Sequence, residues 1–187
     1  LESVMSKVWN QKIFKHIQTS VDAASKKLSD ERGACPDAEE YGFKERFSNK
    51  TAIAPTASIS IICGGASPGI EPVAANSYTH KTLSGSYNVK NRYLKKVLEK
   101  YGKNDDETWS SITTNQGSVE HLDFLTGNEK DVFKTAFELD QKWIVELGAD
   151  RTPYVSQAQS INIFLPADVH KRELHQIHFQ AWKKGLK

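Results

Sequence analysis

The stretch from Ala54 to Pro72 carries the residues best suited to chemistry in this sequence of 187 residues. Small hydroxyl side chains recur along it, at Thr56, Ser58, Ser60 and Ser67. Glycines, which adopt left-handed backbone conformations without strain, follow at positions 64, 65 and 69. Hydroxyls and free backbone N–H groups that follow a strand can bind anionic oxygens. The spacing therefore predicts a backbone cradle for phosphate.

A second interpretation of the same stretch is an ordinary Ser/Gly-rich connection between two elements, and composition alone favours neither interpretation. The stretch lacks the Gly-Lys-Ser/Thr ending of a P-loop. The sequence also lacks the Gly-x-Gly-x-x-Gly fingerprint of dinucleotide-binding folds. Any phosphate site here must therefore belong to another class.

Cysteines and histidines are the other candidates for chemistry. Cys35 lies in a connector and Cys63 lies beside the cradle, and both are interpreted as small structural residues. His175 and His178 have the His-x-x-His spacing, with His170 nearby, but no third ligand stands at a suitable spacing. We therefore predict no metal site and no catalytic residue. Glu71, before a proline, is expected to fix a turn rather than act as a general base.

Composition limits the classes of function. The chain is 38% hydrophobic and 26% charged with a net charge of +2, which is typical of a soluble globular protein without a broad nucleic-acid footprint. No apolar run has the length of a membrane span, and no signal peptide is visible. The two cysteines do not form a disulfide framework, so we expect the reducing cytoplasm. Because the chain begins at Leu1 rather than Met, we expect a fragment.

Hydrophobic periodicity predicts the elements that position these residues. Helices are expected over 3–31 (ended by Gly33), 91–101, from about 104 onward, over 129–147 (capped by Gly148) and over 168–184. The inward residues predicted for the last helix are Val169, Leu174, Ile177, Ala181 and Trp182. Strands or extended segments are expected at 51–54, at 77–82, through Val89 after a turn at Ser84-Gly85, and, as the best candidate, at 154–165. This alternation predicts an α/β fold with too few strands to close a sheet alone.

Several motifs in order resemble the large subunit of class I ribonucleotide reductase. They are Pro-Thr-Ala-Ser at 55–58, Gly-Ile-Glu-Pro at 69–72, the run from Asn76 to Gly85, Asn-Gln-Gly-Ser-Val at 115–119, Gln-Ala-Gln-Ser-Ile-Asn-Ile at 157–163 and the run from His178 to Lys187. The resemblance covers nearly the whole chain. It implies the closing portion of the family's ten-stranded α/β barrel, incomplete as a barrel on its own, with 1–187 as a single domain fragment.

The resemblance implies a substrate site at Thr56, Ala57, Ser58 and Ile59, which would hold the diphosphate of a ribonucleoside diphosphate. Thr56 and Ser58 would offer hydroxyls, whereas Ala57 and Ile59 would offer backbone N–H groups only. Many relatives have a hydroxyl residue where Ile59 stands, and Ser60 is a candidate to compensate for it. The family's Asn-x-Cys-x-Glu loop and its paired radical-relay tyrosines have no match in this sequence. The isolated chain is therefore expected to be inactive, with no cofactor of its own.

Partners are implied by the same resemblance. They are the remainder of the large subunit, a metal-radical small subunit whose C-terminal tail would dock on the helix at 168–184, a thioredoxin or glutaredoxin reductant, and dNTP and ATP effectors bound elsewhere. The alternatives are a segment of a cobalamin-dependent reductase of the same superfamily and a separately expressed piece that only binds partners. The Pro-Thr-Ala-Ser motif and the run from Tyr78 to Gly85 favour class I.

Overall fold

The computed structural model describes residues 1–64, 66–82 and 85–186. Their contacts divide the chain into two compact units. The terminal unit comprises 1–54, 140–163 and 167–187, and the central unit comprises 55–139 and 164–166. The assignment of the whole chain to a single domain stays a prediction. Within the described ranges, no helix has both the length and the apolar character that crossing a bilayer requires.

A long helix, α1, opens the terminal unit and confirms the helix predicted over 3–31. It spans Val4–Arg32, and the hydroxyl of Ser3 begins it by accepting a hydrogen bond from the N–H of Ser6. Gly33 ends the helix at φ 84°, a conformation that glycine adopts without strain, and its N–H donates to the carbonyl of Ser29. A short helix, α2, follows at Pro36–Glu40.

Two further helices of the terminal unit meet at Glu146. This residue lies on α7, which spans Gln141–Arg151 and packs against both α1 and α8, the helix at Lys171–Lys183. The Glu146 carboxylate accepts hydrogen bonds from Lys7 at 3.2 Å, Lys184 at 3.1 Å and Gln180 at 2.8 Å. Hydrogen bonding from Lys184 is the largest of the effects that lower the pKa of Glu146 below its ordinary value. The cluster thus connects three helices through one carboxylate.

Replacement of Glu146 by glutamine is expected to lower the free energy of unfolding more at neutral pH than at acidic pH. Because the folded-state pKa is lowered, the ionised carboxylate stabilises the fold fully above the ordinary glutamate pKa of about 4.3, and this stabilisation is lost as pH falls through the lowered pKa. Denaturant unfolding of both proteins across this pH range measures the difference. Glu31→Gln is the control, because Glu31 and its ion-pair partner Lys27, at 3.8 Å, are both exposed. A Glu146→Gln effect that is the same at both ends of the range would contradict the prediction.

The segments predicted as strands at 51–54 and 154–165 do meet, and they form one parallel bridge between Ile53 and Gln159. The N–H of Ile53 donates to the carbonyl of Ala158 at 3.2 Å, and the N–H of Ser160 donates to the carbonyl of Ile53 at 2.7 Å. The prediction of full strands is therefore wrong. The region begins with a 3₁₀ turn at Thr152–Tyr154. One more backbone bond, from the N–H of Gln157 to the carbonyl of Thr51 at 3.0 Å, joins the two segments without extending the bridge into a ladder.

The prediction of one helix over 129–147 is also wrong. Helix α6 covers Gly127–Val132 and begins with a capping box between Thr126 and Glu129. The chain then leaves the helix, because the Glu138 carboxylate accepts hydrogen bonds from the N–H of Thr135 at 2.7 Å and from its hydroxyl at 2.8 Å. Such local side-chain bonds compete with helical backbone bonds.

The second of these helices, α7, has its own start. The Asp140 side chain caps it by accepting a hydrogen bond from the N–H of Lys142 at 3.0 Å. Gly148, predicted as the cap of the single long helix, instead lies inside α7. A Cβ at this position would stand 2.9 Å from Cδ1 of Ile161, so the glycine allows close packing of the following segment.

The central unit contains a hairpin and four short helices. Strands β1 (Ser77–Thr82) and β2 (Gly85–Lys90) pair antiparallel, with Ser77 opposite Lys90, and confirm the two predicted extended segments. Of the predicted turn at Ser84-Gly85, Gly85 begins β2 and Ser84 lies outside the described residues. Helices α4 (Arg92–Lys100) and α5 (Asp106–Thr114) confirm the predictions there. The core contains Leu94, Leu98, Trp109, Ile112, Val119, Leu122, Leu125 and Phe133.

The last helix, α8, begins at Lys171 rather than near Asp168. His170 caps it, because its Nδ1 accepts a hydrogen bond from the N–H of Arg172 at 3.1 Å. Ile177 is buried as predicted, whereas Leu174 and Trp182, also predicted to face inward, are 41% and 73% exposed. The helical period alone did not tell which apolar side of this helix is covered.

Candidate functional site

The predicted cradle folds as the cap and first turn of a short helix. Helix α3 spans Ala57–Ile62, and Thr56 is its N-cap. The four candidate residues Thr56, Ala57, Ser58 and Ile59 therefore follow one another at a single helix start. Ala57, Ser58 and Ile59 are all exposed.

This turn presents backbone donors that no described residue of the chain uses. Within the described part of the chain, no group accepts a hydrogen bond from the N–H groups of Ala57, Ser58 and Ile59. This is the ordinary state of the first N–H groups of an α-helix, which have no preceding helical carbonyl. The Ser58 hydroxyl likewise bonds to no described group. The arrangement suits an anionic oxygen.

Two of the hydroxyls considered for phosphate are already used within the central unit. The Thr56 hydroxyl donates to the carbonyl of Pro68 at 3.0 Å, and the Thr56 N–H donates to the same oxygen at 2.9 Å. Ser60, considered as a substitute for the hydroxyl missing at Ile59, is buried, and its own hydroxyl donates to the Ala57 carbonyl at 2.7 Å. Both hydroxyls therefore shape the turn.

The segment after α3 supports the turn. The Ser67 hydroxyl donates to the carbonyl of Glu71 at 2.5 Å, and Glu71 itself is buried. A Cβ at position 69 would stand 2.7 Å from Cδ of Glu71, so a larger residue there would have to displace the Glu71 carboxyl group. That Glu71 fixes this turn stays a prediction. Of the predicted glycines, Gly64 has a φ of 84°, and Gly65 lies outside the described residues.

Asn76 connects two of the motifs: the run from Asn76 to Gly85, which begins the hairpin, and Asn-Gln-Gly-Ser-Val at 115–119. It is 1% exposed, and its side-chain amide donates to the carbonyls of Gly117 at 3.0 Å and Phe133 at 2.7 Å. Its side-chain oxygen accepts a hydrogen bond from the Asn91 amide at 2.8 Å. Asn91 also caps α4 through Tyr93 and Leu94. One buried amide therefore fixes three segments that are distant in sequence.

Gln159 has the corresponding role in the terminal unit, within the Gln-Ala-Gln-Ser motif. Its side-chain oxygen accepts a hydrogen bond from Nε of Arg151 at 2.6 Å. Its amide donates to the carbonyl of Gly148 at 3.1 Å and to the hydroxyl of Thr152 at 2.7 Å. Arg151 is itself 4% exposed and lies over the ring of Phe14. This motif thus positions a buried guanidinium.

The histidines and cysteines have positions that fit structural roles. His175 stacks on Phe179, and Nδ1 of His178 lies 2.9 Å from the carbonyl of Leu174. Cys35 and Cys63 are free thiols next to helix ends. Among the residues that the structure describes, no group of three or more His, Cys, Asp or Glu side chains is arranged to hold a metal ion.

Sequence reasoning missed the roles of Asn76, Arg151 and Glu146. Each makes contacts with residues far along the chain, so no local spacing indicated them. The only signal for Asn76 and Gln159 was their place inside motifs that carry a family resemblance. No such signal marked Arg151 or Glu146.

Comparison with known proteins agrees with that resemblance. The family model for the ribonucleotide reductase barrel domain matches residues 37–187. The ribonucleoside-diphosphate reductase large subunit of Invertebrate iridescent virus 6 is 48% identical over 182 residues, which cover 95% of this chain and 19% of that protein. The corresponding large subunit of Caenorhabditis elegans is 37% identical over 133 residues, which cover 71% of this chain and 17% of that protein.

A solved structure is similar along the whole chain. The class Id ribonucleotide reductase alpha subunit of Actinobacillus ureae matches with a TM-score of 0.89 and 36% identity, covering 100% of this chain and 34% of that one. The present chain belongs to the ribonucleotide reductase barrel-domain family. It spans only about a fifth of the length of the viral relative. The predicted fold class is confirmed as part of this barrel, with the sheet unclosed in the described residues.

Proposed function

We propose that this chain supplies the substrate-phosphate loop of a ribonucleoside-diphosphate reductase large subunit. The open first turn of α3 is the observation that carries the proposal, because it contains three N–H groups and the Ser58 hydroxyl, none of which bonds to a described group. Backbone donors at a helix start favour negative charge. The ligand class is a ribonucleoside diphosphate, and its diphosphate lies against residues 56–59.

The loop contributes positioning to the reaction. The complete enzyme replaces the ribose 2′-hydroxyl with hydrogen by thiyl-radical chemistry. Fixing the diphosphate fixes the ribose, and such orientation removes much of the entropic barrier of a reaction between bound groups. We assign none of the residues of this chain to bond breaking, and neither Cys35 nor Cys63 is assigned as the thiyl cysteine. The radical comes from a metal-radical small subunit, and thioredoxin or glutaredoxin restores the reducing cysteines. Free thiols fit a reducing compartment such as the cytoplasm.

Replacement of Ser58 by alanine is expected to raise KM for a ribonucleoside diphosphate by about tenfold with little change in kcat, because it removes a hydrogen bond to a charged group. The assay uses a graft: the complete iridescent virus 6 large subunit in which this chain replaces the matching stretch. The virus's small subunit and a dithiol reductant are added.

Two further variants make the substrate-site test decisive. Ser86→Ala, at an exposed position of β2, is the control and should leave KM unchanged. Ala57→Pro removes one backbone donor at the first helical position of α3, where proline is tolerated, and should also raise KM. If Ser58→Ala and Ala57→Pro both leave KM unchanged, the diphosphate does not bind here.

The helix predicted at 168–184, observed as α8, exposes a candidate binding site for a second partner. Phe179 is 50% exposed and Trp182 is 73% exposed, and their ring centroids lie 5.6 Å apart. Large exposed apolar side chains in one patch mark interaction sites. We propose that they receive the C-terminal tail of the small subunit, as the family resemblance implies, with the basic end of the helix facing acidic residues of the tail.

Replacement of Trp182 by alanine in the graft is expected to weaken small-subunit binding by about tenfold or more, because large aromatic residues dominate binding energy at interfaces. Lys171→Ala is the control, at an exposed position at the other end of α8. Equilibrium binding of a synthetic tail peptide measures the effect. Equal affinity of the Trp182→Ala variant and the unchanged graft would place the tail elsewhere.

A further inference from the structure

The first half of α1 exposes its apolar side to solvent, which is the reverse of what a helix that packs only within its own unit normally shows. Six large apolar side chains of this half are exposed: Val4, Met5, Val8, Trp9, Ile13 and Ile17. Their exposed fractions range from 37% at Val8 to 75% at Val4. A surface helix normally turns its apolar side toward the core and its polar side toward water.

The side of α1 that packs within the terminal unit is largely polar. Lys7 pairs with Glu146 at 3.2 Å and with Asp150 at 3.4 Å, and the Asn10 amide donates to the carbonyl of Leu147 at 2.9 Å. Farther along, the buried residues of α1 are Ser25 and Ser29. The contact between α1 and α7 is therefore mainly polar, and the exposed apolar side of α1 is not the edge of an apolar core between these two helices.

The exposed residues form a ridge. Met5, Trp9, Ile13 and Ile17 stand four positions apart, and residues at this spacing make the rows that interdigitate when two helices pack. The occupant that fits such a ridge is another helix with an apolar face.

Among the described residues of this unit, strand pairing amounts to one parallel bridge between Ile53 and Gln159, whereas the family to which the chain belongs is defined by a barrel. The Actinobacillus ureae alpha subunit contains this entire fold, and the match covers only 34% of that chain. The same fold therefore occurs there within a polypeptide that is about three times as long.

We infer that the ridge Met5-Trp9-Ile13-Ile17 is the surface on which an apolar helix from the remaining part of a large-subunit polypeptide packs. This inference rests on the assignment to a large subunit in the proposed function, and it adds the surface and the kind of element that covers it. The polar side of α1 then packs within the terminal unit, and its apolar side packs against the rest of the large subunit.

Hydroxyl-radical footprinting with peptide mass spectrometry tests the inference on native side chains. Met5 is the single methionine of the chain, and Met and Trp are readily oxidised. Oxidation of Met5 and Trp9 is measured in the 187-residue chain and in the graft defined above. We expect it to fall by about tenfold in the graft, as for residues that pass from exposed to fully packed. Trp109, which is 3% exposed, is the internal control for folding and should be protected in both forms.

Two outcomes would overturn the inference. Equal oxidation of Met5 and Trp9 in both forms would show that no part of the large subunit covers the ridge. Protection already present in the chain alone, rising with protein concentration, would identify a second copy of the chain as the occupant.

A pair of variants gives an independent readout. Ile13→Glu should leave the melting temperature of the isolated chain unchanged and lower that of the graft, whereas Gln11→Glu, an equal charge change on the same helix, should lower neither. If the Ile13→Glu graft has the same melting temperature as the unmodified graft, the inference is contradicted. Neither readout depends on turnover, so failure here is distinguishable from failure of the proposed substrate site.

Discussion

Replacement of Gly117 by alanine is expected to lower the free energy of unfolding by about 3 kcal/mol or more, through a left-handed backbone strain and a steric clash that add together. Gly117 has a φ of 82° and follows Gln116, whose φ of 57° is also positive. A Cβ at Gly117 would stand 2.6 Å from Cα of Ala75 and 2.8 Å from the backbone nitrogen of Asn76. Backbone atoms cannot move aside as a flexible side chain can. Urea or thermal unfolding measures the loss.

Gly102 provides a matched control for this prediction. Its φ of 63° is also left-handed, but a Cβ there would meet nothing within 4 Å. Gly102→Ala should therefore cost only about 1 kcal/mol, the strain without the clash. Equal losses for the two variants would mean that the close approach at Gly117 does not stabilise the fold.

Replacement of Asn76 by alanine is expected to cost about 3 kcal/mol, since it removes three hydrogen bonds of a buried side chain, worth about 1 kcal/mol each. The lost bonds are those to Gly117, Phe133 and Asn91. Asn76→Asp keeps the size of the side chain but puts a carboxylate oxygen in place of the amide nitrogen that faces two carbonyls, so it should be at least as harmful at neutral pH.

Asn115→Ala is the control for Asn76, because Asn115 is exposed and its side-chain amide donates to the nearby carbonyl of Ser111. It should change the free energy of unfolding by no more than about 0.5 kcal/mol. A tolerated Asn76→Asp variant would refute the role of this amide as the link among three segments.

Elements with strong local signals were predictable from the sequence. The helix α1 has a capping serine and a terminal glycine, and α5 has an aspartate cap before an acidic first turn. The hairpin pairs two segments separated by only two residues, so it depends on neighbours in sequence. These predictions were confirmed because local chemistry and tertiary structure agree there.

Elements that depend on distant partners were not predictable. The apolar stripe over 129–147 continued across a break that Glu138 and Asp140 create by binding nearby N–H groups. The segment at 154–165 has strand composition, yet its pairing in the described residues is limited to one bridge. In α8 the helical period placed Trp182 inside, although it is exposed, because periodicity cannot tell which side another element covers.

The candidate site was predictable only in part. Composition indicated a phosphate cradle and an ordinary connection equally, and the family resemblance selected Thr56, Ala57, Ser58 and Ile59. The structure adds which donors are open. It assigns the Thr56 hydroxyl to Pro68 and the Ser60 hydroxyl to Ala57, which side-chain type alone could not indicate.

The most direct test of the account is the rate at which the graft forms a deoxyribonucleoside diphosphate with the viral small subunit and a dithiol reductant. The account predicts turnover that Ser58→Ala reduces at low substrate concentration and that saturating substrate restores. A graft that is folded, with Trp109 protected, and binds the small subunit, but forms no product while the unmodified viral subunit does, would contradict it.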